Sequence, residues 1–164
     1  MVVACPSLPL FAQALAVWAA AGMAARVLAV CSDGSVADTA VRTADLECPV
    51  TTRPGEIADW VRRTPASCLR LILVTHVSAA FVGEGQRAAG TAASRLVVDE
   101  AHHTAGWPGK HGALVHRDEH LPATRRLYMT ATLTVLPELT AGLSTLQGPI
   151  RLALHSLAGP LTWP

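Results

Sequence analysis

The sequence is poor in charged side chains, in aromatic side chains and in lysine. Of its 164 residues, 15% are charged and 4% are aromatic, and Lys110 is the single lysine. Thirteen basic side chains against twelve acidic ones leave a formal net charge of +1. This balance excludes a polycation that coats nucleic acid through charge alone, although a local phosphate-binding strip remains open.

The sequence also lacks a Cys-x-x-Cys pair. The spacing of its four cysteines, Cys5, Cys31, Cys48 and Cys68, matches no zinc ribbon. Buried or free thiols are typical of a reducing compartment, and we therefore expect a cytoplasmic protein.

Charge is absent from residues 1–25. A signal peptide needs basic residues ahead of its apolar core, and a spanning helix needs about 20 strongly apolar residues. Pro6, Pro9, Gln13 and Gly22 interrupt the segment, and much of the rest is alanine. The segment therefore predicts a buried strand followed by a buried helix, with no membrane partner.

Short apolar runs rich in β-branched residues recur along the chain. They lie at Val2–Cys5, 26–31, 71–75, 96–99 and 127–131. Continuous apolar runs are typical of strands buried on both faces of a parallel sheet.

Longer segments separate the runs, and two of them predict helices. Residues 8–21 are apolar all round, so this helix should be well buried, and Pro54–Arg63 has proline at the first position and two arginines in its last turn. The alternation predicts an α/β fold with a mostly parallel sheet.

Two adjacent carboxylates, Asp99 and Glu100, leave the fourth run, and His102 follows them. Active groups of parallel sheets gather at the carboxyl ends of strands. Asp99 could hold a hydrated Mg²⁺ and Glu100 could orient a water toward a phosphate, which are two tasks that phosphoryl transfer requires. A strand end with two solvated acids is the alternative interpretation. The next run ends in Thr130-Ala131-Thr132, whose hydroxyls could hydrogen-bond the acidic residues or the histidine.

The Asp99-Glu100-Ala101-His102 sequence followed by Met129-Thr130-Ala131-Thr132 resembles motifs two and three of superfamily-two helicases of the DEAD/DEAH-box type. Residues 4–8 with Gln13 resemble motif Ia of that family. Residues 74–78 resemble its Thr-Tyr-Gln-Ser stretch, with Thr75 and Ser78 matching and His76 and Val77 differing. The resemblance covers residues 2–133 and implies a RecA-like first motor domain, with 134–164 as an apolar tail of unknown structure.

The resemblance also implies a role for each matching residue. Asp99 would bind Mg²⁺ together with ATP, Glu100 would activate the hydrolytic water, and His102, Thr130 and Thr132 would couple hydrolysis to strand movement. Four further residues would face the nucleic acid, with DNA the expected partner: Ser7, Gln13, Thr75 and Ser78. Neutral side chains of this kind contact phosphates without reading the base sequence.

The sequence departs from the family because it contains no Gly-x-x-x-x-Gly-Lys-[Ser/Thr] phosphate loop. The second motor domain with its arginine finger is not recognisable either. We therefore expect a domain truncated at its N-terminal edge, whose sheet has an open edge, and a chain that is not a working ATPase unless a further helicase segment or partner chain completes it.

Two alternatives remain open. The first is a zinc hydrolase, because His116-x-x-Glu119-His120 matches the inverted zinc-protease pattern and would put both histidines on one helix face. Pro122 and Pro108 flank the motif closely and make a continuous helix doubtful. The second is a non-catalytic protein, either a helicase remnant or a binding module that retains the helicase groove without ATP chemistry.

Overall fold

A computed structural model describes residues 1–32, 43–104, 111–130 and 150–154. For residues 111–113 and 150–154 it describes the backbone alone. The strands are β1 (Val2–Cys5), β2 (Ala25–Val30), β3 (Leu69–Thr75), β4 (Leu96–Val98), β5 (Arg126–Thr130) and β6 (Ile150–Leu154). The helices are α1 (Leu8–Ala20), α2 (Pro54–Arg63) and α3 (Ala79–Ala89).

All strand pairs of the sheet are parallel, and the strands lie in the order β2-β3-β1-β4-β5-β6. The predicted α/β class with a parallel sheet is therefore confirmed. The first strand is central rather than peripheral, because β3 and β4 pair with its two sides. The side of β5 away from β4 pairs with β6, which lies within the segment expected to be a tail. Among the described strands, β2 and β6 form the two edges of the sheet.

Successive strand residues face opposite sides of the sheet, as the two-residue period of a strand requires. Ala4 and Val74 face the core that includes Ile57 of α2 and Val82 of α3. Cys5 and Leu73 face the opposite core, which α1 covers with Leu8 and Phe11. The sheet is therefore a middle layer between α1 on one face and the α2–α3 pair on the other.

Two glycines of α3 allow close packing on two different neighbours: Gly85 lies against α2, and Gly83 lies against the backbone at His120. A Cβ atom on Gly83 would lie 1.5 Å from the His120 carbonyl oxygen, and one on Gly85 would lie 2.7 Å from Ile57 Cβ. Such separations are well inside van der Waals contact, so no larger residue fits at either point without backbone movement. The helix ends at Gly90, whose φ of +67° is readily available to glycine.

Helix α1 differs from the prediction in its burial. Only Leu8 and Phe11 of this helix are fully buried, and Val17 is 58% exposed. The expectation that an apolar helix would be well buried is therefore wrong for the outer side of α1. The physical reason is that one helix lying on one face of a sheet can cover only its inward side, whatever its outer residues are.

The connection between β4 and β5 is held down by a buried arginine. The guanidinium of Arg126 donates to the Leu121 carbonyl at 2.8 Å and to Asp118 Oδ1 at 2.5 Å. Arg87 of α3 donates to the Glu119 carbonyl at 2.7 Å from the other side. These bonds fix the segment that follows the acidic residues against the sheet and α3. Within the described ranges, no helix is long and apolar enough to span a bilayer.

Candidate functional site

The carboxyl edge of the sheet gathers the polar residues that the sequence singles out. Register pairs Cys5 with Thr75, Ala4 with Val98, and Val98 with Tyr128. The residues that follow these strands therefore emerge side by side at one edge. The expected clustering of Ser7, Thr75, Asp99 and Thr130 at strand ends follows directly from this parallel register.

The acidic turn, which we define as residues 99–102, leaves β4 with a fixed backbone. The Asp99 N–H donates to the Ala4 carbonyl at 2.8 Å, and the Glu100 N–H donates to Asp99 Oδ1 at 3.0 Å. Glu100 has a φ of +48°, the one positive value at a non-glycine residue in the described part of the chain. Left-handed backbone costs an L-residue about 1–2 kcal/mol, and such strain concentrates at functional sites.

The carboxylate of Glu100 is confined but not fully bonded. Its Oε2 atom is buried and has no hydrogen-bond partner among the described residues. His102 Nδ1 lies 3.2 Å from that oxygen but outside hydrogen-bond geometry. A buried carboxylate oxygen without a hydrogen bond carries an unmet desolvation cost of about 1–3 kcal/mol or more, which a cation or an ordered water would relieve.

His102 joins the acidic turn to the neighbouring strand. Its Nδ1 atom lies 2.9 Å from Thr130 Oγ1 at the end of β5. The structure thus brings together the histidine of the first motif and the first threonine of the second. Thr132, the other expected coupling residue, lies outside the described residues.

The turn after β3 is closed on itself. Thr75 Oγ1 donates to Ser78 Oγ at 2.9 Å, and both side chains are buried. Neither hydroxyl is presented to solvent in this conformation, so a role of Thr75 and Ser78 at nucleic acid stays a prediction that would need the turn to open. Their observed contact closes a 3-10 turn that begins with His76.

Ser7 and Gln13 are more accessible. Ser7 is the half-buried N-cap residue of α1, and its hydroxyl makes no capping hydrogen bond. Gln13 is exposed on the same helix. Their positions leave both side chains able to reach a ligand from solvent.

Cys5 ends β1 beside the acidic turn and is chemically quiet. Burial raises the pKa of its thiol to about 12, and the charge of Asp99 adds to the shift. At neutral pH the side chain is therefore a protonated thiol rather than a nucleophile. All four cysteines lie within the described ranges, and none forms a disulfide.

The pattern His116-x-x-Glu119-His120 does not lie on one helix. His116 ends a 3-10 helix, His111–His116, while 118–120 form a turn. His116 Nε2 bonds Thr104 Oγ1 at 2.9 Å, and its ring lies 5.3 Å from that of Tyr128. Burial lowers the pKa of this imidazole. The described residues contain no group of three His, Cys, Asp or Glu side chains placed to hold a metal, so no observation favours the zinc alternative.

Among the comparisons with known proteins, only the search of solved structures finds similar proteins. No protein-family model matches the sequence. No curated protein matches it either.

Solved structures do match. A nuclease-deletion mutant of the Type ISP restriction-modification enzyme LlaGI, in complex with a DNA substrate mimic, superposes with a TM-score of 0.64 at 27% identity over 80% of this chain. The ATP-dependent Type ISP restriction-modification enzyme LlaBIII, bound to DNA, gives 0.61 at 20% identity over 80% of this chain.

This chain has the RecA-like α/β fold. The matches cover 11% and 9% of the two enzymes' own chains, so it corresponds to about a tenth of each. The predicted RecA-like arrangement is confirmed, and the likeness supports a helicase-like domain.

Proposed function

We propose that this RecA-like domain binds Mg·ATP at the acidic turn and belongs to a DEAH-type motor that couples ATP hydrolysis to movement along DNA. The observation that carries the proposal is the Glu100 carboxylate, which is held on a left-handed backbone and has one buried oxygen that forms no hydrogen bond with the described residues. A buried carboxylate oxygen of this kind is suited to bind a cation or to accept a hydrogen bond from a water molecule.

The donor set agrees with magnesium. Mg²⁺ prefers carboxylate oxygens, retains several waters, and is usually held by one or two carboxylates together with phosphates. Asp99 and Glu100 offer two adjacent carboxylates at the carboxyl edge of a parallel sheet, and Asp99 would be the ligand. The bound ion would neutralise phosphate charge.

Glu100 and His102 would act beside it. The Glu100 carboxylate would accept a proton from, and so orient, a water directed at the terminal phosphate. His102, placed 2.9 Å from Thr130 Oγ1, would transmit a change at the acidic turn to the end of β5.

Phosphate binding needs more than these residues. Backbone N–H groups and a lysine normally hold the β- and γ-phosphates, and the sequence contains no motif of that kind. We therefore expect this chain to bind Mg·ATP weakly and to hydrolyse it only when another segment or a partner chain supplies those groups.

Metal-dependent nucleotide binding tests the proposal directly. We would titrate the 164-residue chain with ATP in the presence of Mg²⁺ and again in EDTA, and repeat both with Asp99→Ala. Asp59→Ala is the matched control, because Asp59 is an exposed carboxylate on α2 that pairs with Arg62. Binding that needs both Mg²⁺ and Asp99 supports the proposal.

A second arm uses Mn²⁺·ATP as a paramagnetic probe, which detects weak binding through broadening of nearby amide resonances. Selective broadening at Asp99 and Glu100 is expected. Equal affinity in wild type and Asp99→Ala, or no broadening at millimolar nucleotide, would sink the proposed site. Single-turnover hydrolysis by the chain alone, lost in Glu100→Gln, would instead show that the missing phosphate loop is not required.

DNA is the proposed partner at the same edge. Ser7 and Gln13 are accessible neutral polar residues at the start of α1, and hydrogen bonds from such side chains to phosphates give binding without base recognition. Fluorescence anisotropy with DNA and RNA of equal sequence would test this, with Gln13→Ala expected to weaken binding to every sequence alike.

A further inference from the structure

The turn after β3 contains a histidine for which the proposed chemistry has no task. His76 is 6% exposed and begins the 3-10 turn that the Thr75–Ser78 hydrogen bond closes. In the resemblance to the Thr-Tyr-Gln-Ser stretch, this position is a mismatch, since tyrosine stands there in the family. The side chain therefore belongs to this chain and not to the shared motif.

The imidazole of His76 reaches across the sheet edge to the acidic turn. Its Nε2 atom lies 3.0 Å from the carbonyl oxygen of Asp99. A carbonyl can only accept, so Nε2 carries the hydrogen and donates. Burial lowers the pKa of His76 to about 4, against the opposing effect of carbonyl contacts with Asp99 and Ala4, and the ring is a neutral donor at pH 7.

That carbonyl belongs to the peptide unit that joins Asp99 to Glu100. Rotation of this unit would swing both carboxylates, and the positive φ of Glu100 makes the observed orientation costly. The Asp99 N–H is held by the Ala4 carbonyl at 2.8 Å, and the Glu100 carbonyl accepts the His103 N–H at 2.9 Å. The N–H of this peptide unit donates to Asp99 Oδ1 at 3.0 Å, and the His76 bond holds its carbonyl oxygen at the other end.

We propose that His76 is the positioning residue of the acidic turn: its Nε2–H, donated to the Asp99 carbonyl, holds the Asp99–Glu100 peptide in the orientation that directs both carboxylates to the ligand. The consequence for Mg·ATP rests on the proposed function, whereas the consequence for the backbone does not. His76 also links the turn after β3 to the acidic turn, so opening of the former would release the latter.

The test compares two substitutions with a control. His76→Phe keeps a flat ring of similar size and removes the donor, while His76→Gln keeps an N–H donor. His120→Phe makes the same chemical change at a histidine that is 40% exposed and distant in sequence from both turns. Each chain is examined by amide hydrogen exchange without nucleotide, and by Mg·ATP titration.

In His76→Phe, we expect exchange at the Asp99 and His103 amides to accelerate about tenfold or more, which corresponds to the loss of one buried hydrogen bond. Amides within β1 and β3 should keep their protection. Mg·ATP affinity should fall about tenfold, and His76→Gln should restore both quantities to within about threefold of wild type. His120→Phe should change neither.

Three results would overturn the proposal. One is unchanged exchange at the acidic turn in His76→Phe. Another is loss of protection throughout the sheet with no rescue by His76→Gln, which would make the ring a packing element. The third, measured in wild type and so independent of any variant folding, is absence of the scalar coupling across the hydrogen bond between His76 Nε2 and the Asp99 carbonyl carbon. If wild type fails to bind Mg·ATP, the proposed function falls, and the exchange data still decide the positioning role.

Discussion

Two turns at the same sheet edge treat their polar groups in opposite ways. The turn after β3 buries Thr75 and Ser78 and pairs their hydroxyls with each other. The acidic turn after β4 has a strained residue, Glu100, one of whose carboxylate oxygens forms no hydrogen bond within the described part of the chain. Only the central strand β1 separates β3 from β4 in the sheet.

The difference suggests different roles: the Thr75–Ser78 pair stabilises the fold, whereas the Glu100 carboxylate is placed to bind a ligand. Satisfied buried hydroxyls stabilise a turn, because each desolvated donor or acceptor has a partner. An unsatisfied carboxylate on left-handed backbone lowers stability, and such a cost is characteristic of functional positions. The acidic turn is thus the better candidate for chemistry.

The largest expected effect comes from pH, because His76 connects the two turns. Burial lowers the pKa of His76 from its ordinary 6.5 to about 4. Between pH 4 and pH 6.5, His76 is therefore protonated in the unfolded chain and neutral in the folded chain. Stability should be constant above about pH 6.5 and fall as the pH drops, by about 2 kcal/mol at pH 5 and about 3 kcal/mol near pH 4.

Urea unfolding from pH 7.5 to 4 measures this loss. The lowered pKa of His116 adds in the same direction, so His76→Gln should reduce the slope without removing it. A wild-type unfolding free energy that is flat between pH 7.5 and 5 would contradict the prediction.

The next effect tests the satisfied turn. Thr75→Val removes a buried hydroxyl and leaves Ser78 Oγ without its partner, and we expect a loss of about 2 kcal/mol in the free energy of unfolding. The double variant Thr75→Val/Ser78→Ala removes both hydroxyls and should cost less than the sum of the two single changes. Additive losses in equilibrium denaturation would mean that the bond seen between the two side chains contributes little.

The third prediction tests the backbone strain at Glu100, and here a substitution by glycine is expected to raise the free energy of unfolding relative to alanine. Glu100→Gly relieves the left-handed backbone, whereas Glu100→Ala removes the same carboxylate and keeps the strain. The glycine variant should therefore be more stable than the alanine variant by about 1 kcal/mol, while both lose the carboxylate proposed to orient the water. Equal unfolding free energies in the two variants would show that the positive φ costs nothing here.

The smallest effect concerns the link from the acidic turn to β5. Thr130→Val removes the hydroxyl that lies 2.9 Å from His102 Nδ1. The pair is only partly buried, so we expect a loss of about 0.5 kcal/mol, with Thr130→Ser close to wild type. In the same variant, the resonances of the His102 ring should shift, and an unchanged ring spectrum would argue against the link.

Much of the fold could be predicted because apolar continuity is a local property. Helix α2 has the predicted bounds Pro54–Arg63, and the five predicted runs become strands within two residues of their expected ends. Strand β6 was missed even though Gly148-Pro149 directly precedes it, because its five residues are too few to show a clear period. The exposure of α1 was also missed, because hydropathy does not tell how many neighbours cover a helix.

The candidate site was predicted in part. The proximity of Asp99 to Thr130 followed from strand order and the carboxyl-end rule, and the contact of His102 with Thr130 is what that proximity permits. His76 was noted only as a mismatch in a motif. A polar residue directly after an apolar strand was the one signal that pointed to His76. Its partner is the backbone carbonyl of Asp99, 23 residues away, and a backbone carbonyl cannot be recognised from residue types.

The sequence by itself determined the parallel α/β class, the strands and the identity of the acidic pair, because these depend on local apolar patterning and on the order of side chains along the chain. Tertiary structure decided which polar groups find partners. Thr75 and Ser78 hydrogen-bond each other in the interior, one Glu100 oxygen has no hydrogen bond from the residues that the structure describes, and His76 contacts the acidic turn. Hydrogen bonding is directional and short in range, so it is settled only when distant segments are placed to within about 0.5 Å.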